Sequence, residues 1–450
     1  MPPFWQDVRA VLKLAIPVAL GELGWMAMTT VDTIMVGRLG PVAIGAIGIG
    51  SSAFYSFAVF GMGLLLGLDT LVSQAYGAGD REDCHKSLTQ GFYLAVAMTV
   101  PLMILFALMP PAFRSLGIIK PVETLAAKFL VTLSLSTPPL LLYAVFRRYL
   151  QAMGHVQPIM FILITANLIN WFFNWLLIRG NWGFPSLGVV GSALSTCFAR
   201  VYMAGGLAFF IWWFERKLQP GFRNLLQAPD RQRLRRLLEL GFPAATQILL
   251  EVAAFGAAAV LAGRLNPIAL AAHQIAINCA SVTFMVPLGI ASAGAVAVGQ
   301  AIGSREPERA RRNGFVAIAL GCSFMLCSAL AFLSIPKPIL NIYTHDPTVI
   351  ATGVGLLAIA ALFQLFDGVQ TIATGALRGL GETRGPMLIN LGAYWLFGLP
   401  IGYALCFHFG LGIYGLWWGL TVSLVAIALV LLWLWNSRSL QSPGLICYLR

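Results

Sequence analysis

Twelve apolar runs, each long enough to cross a lipid bilayer, follow one another along this chain. A helix needs about 20 mostly apolar residues to span the hydrocarbon core. Only 10% of the residues are charged, whereas a soluble domain carries roughly 25%. The runs cover residues 8–36, 42–73, 85–110, 122–149, 158–178, 186–213, 234–263, 267–301, 310–336, 346–377, 386–407 and 411–436. We therefore predict an all-α polytopic membrane protein with twelve transmembrane helices.

The basic residues between the runs indicate the orientation in the membrane. If the N-terminus is cytoplasmic, 21 of the 29 Lys and Arg residues lie in cytoplasmic segments and six in the opposite loops. Cytoplasmic loops carry the excess of positive charge, so we expect both termini in the cytoplasm and the chain in the inner (plasma) membrane. The other two, Lys128 and Arg200, fall inside spans, and both are expected to snorkel towards the membrane surface.

The seven cysteines contain no CxxC pair and are not accompanied by a histidine cluster. They are expected to be small packed residues rather than disulfides or metal ligands. Neither a metal site nor a cofactor is predicted. The net charge of +12 follows from the topology and does not indicate nucleic-acid binding, because the basic residues are scattered between apolar runs.

The chain contains one unit twice. A single ungapped shift of the sequence on itself places residues 12–17 (LKLAIP) on residues 238–243 (LELGFP), and Pro41 on Pro267. Six spans per copy bring both copies into the membrane in the same direction, which predicts two pseudo-symmetric six-helix bundles related as parallel repeats. The predicted division is an N-terminal lobe at 1–213, a cytoplasmic linker at 214–236 and a C-terminal lobe at 237–450. Two such lobes with a cavity between them indicate a transporter.

A few acidic residues lie inside the spans, where a charge costs about 2.5–3.5 kcal/mol and so usually faces a cavity or a partner. Glu251 and Asp367 are the strongest candidates for binding a proton or a cation, because each belongs to a polar stripe along its helix. Asp32 is a third candidate, for which a role in helix packing is the alternative. Under the repeat shift Glu251 corresponds to Trp25 and Asp367 to a position near Leu140, so the two halves are expected to differ.

Polar side chains at helical spacing extend these candidate sites. The supporting residues are Gln247, Gln274, Asn278, Gln364 and Thr371 in the second half and Asn170 and Asn174 in the first. Their faces must meet each other or water; a purely structural hydrogen-bond network is the alternative.

A cavity for a cationic substrate is expected to use an acidic residue and aromatic rings, which attract cations. The candidates are Glu22, Trp25, Phe284 and Tyr394. Packing against lipid or core is the alternative for each ring. Three GxxxG pairs, at Gly63/Gly67, Gly375/Gly379 and Gly415/Gly419, are expected to serve helix packing.

Several segments resemble the multidrug and toxic compound extrusion (MATE) family, in particular its bacterial NorM-like branch. They are residues 31–37 (VDTIMVG), 67–79 (GLDTLVSQAYGAG), 271–278 (AAHQIAIN) and 366–379 (FDGVQTIATGALRG). The resemblance implies two six-helix lobes that alternate between inward-open and outward-open states. It also implies export of cationic lipophilic drugs in exchange for inward H⁺ or Na⁺, with Glu251, Asp367 and Asp32 as the coupling acids. Phe363 stands where some Na⁺-coupled members have a tyrosine, which leaves the coupling ion open.

Two other functions are weighed against a monomeric multidrug antiporter. A flippase for lipid-linked precursors would need several intramembrane cations for its pyrophosphate, and this chain has two, Lys128 and Arg200. A membrane-embedded enzyme is disfavoured because GxSxG, HExxH and GxxxxGK[S/T] motifs do not occur.

Overall fold

The computed structural model describes residues 3–115, 117–218 and 227–445, which form helices joined by short turns. The helices of the first half are α1 (Pro3–Gly37), α2 (Pro41–Leu64), α3 (Gly67–Gly77), α4 (Arg81–Leu108), α5 (Pro110–Ser115), α6 (Lys120–Ser134), α7 (Thr137–Ala152), α8 (Gln157–Arg179) and α9 (Val189–Leu218), with a 3₁₀ turn at Asn181–Gly183. Those of the second half are α10 (Arg231–Gly263), α11 (Pro267–Gly303), α12 (Pro307–Ser334), α13 (Pro336–Asn341), α14 (Pro347–Leu380), α15 (Arg384–Asn390), α16 (Leu399–Tyr403) and α17 (Gly412–Leu445), with π-helical segments at Leu391–Gly398 and Ala404–His408.

These helices confirm the predicted fold class. Within the described residues, eleven helices are long and apolar enough to cross a membrane, counting α2–α3, α4–α5 and the helix from Arg384 to His408 as one each. The pair α6–α7, bent by 48°, brings the total to twelve when it is counted as one span. The span boundaries agree with the sequence-based ones to within several residues.

Proline and short polar side chains determine where many helices begin. Pro41, Pro267 and Pro307 each occupy the first turn, where a missing N–H removes no helical hydrogen bond. The Asn266 side chain accepts a 2.7 Å hydrogen bond from the Ala269 N–H at the start of α11. Asp346 caps α14 in the same way by accepting from the Thr348 N–H at 2.8 Å.

The helix boundaries repeat along the chain. The shift that places Pro41, at the start of α2, on Pro267, at the start of α11, also places the start of α5 on the start of α13. The halves differ in continuity, because α2–α3 and α6–α7 are each broken where α11 and α14 run through. The break between α6 and α7 contains Ser136.

The Cα packing divides the chain into two compact units. The first-half unit comprises Leu23–Tyr76 and Asp80–Ala245, and the second-half unit comprises Met1–Glu22, Gly77–Gly79 and Thr246–Arg450. Each has its own hydrophobic core: one around Phe54, Phe106 and Leu130, the other around Trp417, Trp435 and Leu356. This division differs from lobes at 1–213 and 237–450, because α1 and α10 each contribute to both units.

The predicted linker is only partly a loop. Residues 214–218 complete α9, and residues from Arg231 onward belong to α10. Between them, Tyr93 donates a 2.9 Å hydrogen bond to the Gln227 carbonyl, and Gln90 donates one of 3.3 Å to the Ala228 carbonyl. Residues 219–226 lie outside the described residues, as do Arg450 and Cys447. The end of the linker therefore packs on α4.

The paired glycines lie at close helix contacts. A Cβ at Gly375 would fall 2.4 Å from the Ala291 carbonyl oxygen, and one at Gly379 would fall 2.5 Å from that of Ala295. The absence of a side chain thus lets α14 approach the backbone of α11, as the packing interpretation of GxxxG predicts.

Candidate coupling sites

A buried carboxylate, Asp32, collects three hydrogen bonds within the first-half unit. The Asn170 amide donates to Oδ1 at 3.0 Å, the Asn174 amide donates to the same oxygen at 2.6 Å, and the Thr196 hydroxyl donates to Oδ2 at 2.9 Å. Helix α8 places the two asparagines on one face because they are four residues apart, and α9 supplies Thr196. Three helices thus converge on one carboxylate that is 8% exposed.

The hydrogen bonds around Asp32 suit an ionised carboxylate. All three partners donate, which stabilises the charged form and fixes its position. Asn174 also donates to Asn170 Oδ1 at 3.1 Å, so the two amides are held relative to each other. Asn174 Oδ1 is buried and has no hydrogen-bond partner among the described residues. The cluster therefore retains one amide oxygen that can accept a hydrogen bond or coordinate a cation.

Arg200 lies one helical turn beyond Thr196, and its snorkelling prediction was wrong. The residue is 1% exposed, and its guanidinium donates to Ser136 Oγ at 2.6 Å and to the Tyr55 hydroxyl at 2.8 Å. Its charge also lies 4.9 Å from the centre of the Phe54 ring. Lys128, by contrast, is exposed.

The second-half unit contains a pair of carboxylates, Glu251 on α10 and Asp367 on α14. Gln370, which follows Asp367 by three residues on α14, bonds to Glu251, so the two carboxylates lie on neighbouring parts of the two helices. Gln370 donates to Glu251 Oε1 at 3.3 Å and accepts from the Tyr394 hydroxyl at 3.4 Å. Asp367 is buried, and its Oδ1 has no hydrogen-bond partner among the described residues. Two neighbouring carboxylates with an unpaired oxygen form a site suited to binding a proton or a cation.

The other predicted polar residues of this half divide into separate groups. Gln364 accepts from the Thr283 hydroxyl at 3.0 Å and from the Ser328 hydroxyl at 3.1 Å. Gln247 donates to Thr374 at 3.4 Å. Gln364 and Gln247 thus join helices without bonding to Glu251 or Asp367, and Thr371 is half-buried one turn after Asp367.

Two residues of the predicted stripe on α11 lie elsewhere. Gln274 and Asn278 are exposed, and Asn278 accepts a 3.1 Å hydrogen bond from the Tyr343 hydroxyl. On the same helix His273 is buried instead and accepts from the indole N–H of Trp417 at 3.1 Å. A supporting role for Gln274 and Asn278 therefore remains a prediction.

The predicted cavity residues have varied surroundings. Trp25 stacks on Tyr143 with ring centres 6.0 Å apart, and Tyr394 is completely buried beside Gln370. Glu22 and Phe284 are half-buried. Trp25 and Tyr394 therefore contribute to the interior of their own units, and a substrate role for any of these residues remains a prediction.

The two sites are not copies of each other. Under the shift of 226 residues, Asp32 corresponds to Ala258. Nearer the end of each repeat the shift becomes 224 residues, which places Leu187 and Gly188 on Leu411 and Gly412 and Arg200 on Leu424. Ala258 and Leu424 are both buried apolar residues. Conversely, the repeat places Glu251 on Trp25 and Asp367 near Leu140, so the first half lacks these two carboxylates. Each half has therefore kept the repeated helices and acquired its own polar group.

Three contributors were missed from the sequence: Thr196, Arg200 and Gln370. Thr196 and Gln370 are ordinary polar residues whose role depends on the direction of the side chain. A useful signal was available for Arg200, since an arginine near the middle of a long apolar run is costly.

The family relationship rests on two matches within the chain. The family model described as MatE matches residues 17–176 and again residues 243–404. The chain belongs to the MATE family. The two matches begin at Pro17 and Pro243, the same pair of prolines that the internal repeat places on each other.

MATE-family relatives match over almost the entire chain. A "Probable multidrug resistance protein NorM" from Mesorhizobium japonicum is 35% identical over 447 residues, covering 98% of this chain and 96% of the relative. A "Multidrug resistance protein NorM" from Burkholderia vietnamiensis is 36% identical, covering 95% and 93%. The expected resemblance is confirmed, and the protein is a membrane transporter rather than an enzyme.

Solved structures confirm the fold. The eukaryotic MATE transporter AtDTX14 has a TM-score of 0.85 at 20% identity and covers 98% of both chains. A multidrug resistance MATE family transporter in an outward-facing conformation has a TM-score of 0.86 at 20% identity, covering 97% of both. At this identity the agreement concerns the helical architecture.

Proposed function

We propose that this protein is a secondary active multidrug antiporter that exports cationic lipophilic compounds in exchange for inward H⁺ or Na⁺. The observation that carries the proposal is a buried carboxylate site in each unit, one at Asp32 and one at Glu251–Asp367. The NorM relatives are named as multidrug resistance proteins, which supports drugs as the substrate class.

Each carboxylate site supplies what a coupling ion needs. Asp32 has a full set of donors and a neighbouring unpaired oxygen on Asn174. Glu251 and Asp367 repel each other when both are ionised, so binding one proton or Na⁺ relieves the repulsion. In both cases a bound cation neutralises negative charge that would otherwise attract a cationic drug.

Exchange then follows from electrostatics. In the outward-facing state the coupling ion enters, lowers the negative charge of the site and favours release of the drug. After the change of state the ion leaves to the cytoplasm, and the recharged carboxylates can attract another drug. One charge moving inward yields about 2.3 kcal/mol per 100 mV, and one cationic drug moving outward costs the same. A one-for-one exchange therefore draws its energy from the concentration gradient of the coupling ion.

The same proposal places the chain in the inner membrane as a monomer with cytoplasmic termini. An even number of spans and the excess of basic residues on one side support the placement of both termini in the cytoplasm.

Reconstituted liposomes test the proposal directly. Efflux of ethidium is followed under an imposed Na⁺ gradient and, separately, under a pH gradient, for the wild type and for Asp32→Asn, Glu251→Gln and Asp367→Asn. We expect one gradient to drive efflux and each substitution to abolish most of it. Glu308→Gln, an exposed acid at the start of α12, is the control and is expected to transport normally. Efflux that ignores both gradients, or that survives both Glu251→Gln and Asp367→Asn, contradicts the proposal.

A further inference from the structure

The guanidinium of Arg200 is a permanent positive charge inside the first-half unit. It is 1% exposed, and arginine does not lose its proton in proteins. Its position on α9, well inside both Val189 and Leu218, places it deep within a span. Burying a charge so far from water is costly unless other groups stabilise it. Such residues inside a membrane span usually have a function.

The partners of Arg200 are neutral. It donates to the hydroxyls of Ser136 and Tyr55, and the rings of Phe54, Tyr55 and Trp25 lie 4.9, 5.7 and 5.8 Å from its charge. In the part of the chain that the structure describes, the ion pairs do not include one between Arg200 and a carboxylate. Hydroxyl oxygens and aromatic faces hold the guanidinium in place without neutralising its charge.

Asp32 is the acidic group on which this charge acts. Thr196 touches Asp32 Oδ2, and Arg200 follows Thr196 by four residues on the same face of α9, about 6 Å further along the axis. At this spacing the two charges act on each other electrostatically without forming an ion pair. The other titratable side chains nearby are Tyr55 on α2, which accepts a hydrogen bond from Arg200, Tyr143 on α7, which stacks on Trp25, and Cys197 on α9.

We propose that Arg200 is a positioning residue that weakens the binding of the coupling cation at Asp32 and so promotes its release. The fixed charge stabilises the ionised carboxylate, and it repels any cation that arrives there. This inference rests on the proposed function of Asp32 as a coupling residue. It also separates the two sites, because the second half has Leu424 at the corresponding position.

The location of Ser136 supports a precise placement of the charge. Ser136 lies in the break between α6 and α7, where the span bends by 48°. The corresponding span of the second half, α14, is continuous and lacks such a break. The broken span thus brings a hydroxyl to the guanidinium in the half that contains the arginine.

The test measures the half-saturating concentration of the coupling ion for ethidium efflux in proteoliposomes, with Na⁺ and pH varied independently. Arg200→Gln is expected to lower that concentration about tenfold, since it removes an opposing charge at short range. Arg200→Lys retains the charge and is expected to remain within about threefold of wild type. Lys128→Gln removes the other intramembrane cation, which is less buried, and is expected to leave the value unchanged.

A second background separates this inference from the proposed function. If Asp32→Asn leaves ion dependence unaltered, the role of Asp32 itself is wrong. If Asp32→Asn alters it but Arg200→Gln does not, only the role of Arg200 is wrong. Because little efflux is expected in the Asp32→Asn background, binding of the coupling ion to the purified protein is measured there and in the wild-type background. Arg200→Gln is expected to cause no further shift in the half-saturating concentration in the Asp32→Asn background, whereas an equal shift in both backgrounds overturns the inference. Should Arg200→Gln not fold, loss of ion sensitivity in Arg200→Lys would overturn it as well.

Discussion

A single amide, Gln370, satisfies two groups that burial would otherwise leave unpaired. It donates to Glu251 and accepts from Tyr394, and it is itself almost completely buried. An unsatisfied polar group in such a place costs about 1–3 kcal/mol. Gln370 therefore fixes the position of Glu251 while contributing no charge of its own.

Replacing Gln370 with Leu is expected to disturb coupling more than folding. Loss of the donor leaves Glu251 less well held, so the half-saturating concentration of the coupling ion should change about fivefold or more, consistent with the cost of one buried hydrogen bond. Asn313→Leu is the matched control, because Asn313 is a buried amide in the same unit that donates to the Ala297 carbonyl. It is expected to lower the melting temperature in detergent while leaving ion dependence intact; an identical response of both variants would show that Gln370 is only structural.

Individual residues were predictable where a charge is scarce. Asp32, Glu251 and Asp367 stood out because the sequence allows few acids inside apolar runs. The structure places Asp32 among three hydrogen-bond donors and Glu251 beside Gln370. Thr196 and Gln370 did not stand out, since threonine and glutamine are common and their direction depends on how neighbouring helices pack. Gln274 and Asn278 are exposed, and their predicted part in the site stays a prediction.

At the level of helices, α14 and α11 approach through glycine. The Ala291 carbonyl oxygen occupies the space where a Cβ of Gly375 would lie, at 2.4 Å. Because backbone rather than a flexible side chain fills that space, the contact has little room to adjust.

Gly375→Ala is therefore expected to destabilise the protein by about 1–3 kcal/mol, the usual cost of overpacking. Gly256→Ala on α10 is the control, since a Cβ there meets nothing within 4 Å, and removing a helical glycine stabilises by roughly 0.5–1 kcal/mol. Thermal unfolding in detergent measures both. A Gly375→Ala protein that melts at the wild-type temperature would mean that α11 and α14 are not packed as described.

Hydrophobic patterning was enough to predict the spans but not their interruptions. Proline, glycine and charge pairs marked the ends of α2–α3, α11 and α14 within a few residues. The break at Ser136 was not predicted, although Pro138 and Pro139 follow it, because the surrounding run has the composition of a single span.

Across the whole molecule, duplication supplied the scaffold and later divergence supplied the chemistry. The starts of α2 and α5 recur at the starts of α11 and α13 under one shift of the chain, yet the repeat aligns Asp32 with Ala258 and Glu251 with Trp25. Sequence periodicity reveals the repeat because many helix boundaries contribute to it. The boundaries of the two compact units are harder to predict from the sequence. They fall inside α1 and inside α10, where the composition does not change.

The orientation of the whole molecule is a prediction that follows from charge alone. Twelve spans place both termini on one side, and 21 basic residues against six assign that side to the cytoplasm. Single cysteines in a background free of the native seven test this in the full-length protein. In intact cells a membrane-impermeant maleimide should label Lys337→Cys, which follows Pro336 at the start of α13. It should label Arg309→Cys, near the start of α12, only after permeabilisation. The opposite pattern would invert the topology, and with it the direction in which the proposed coupling ion and drug move.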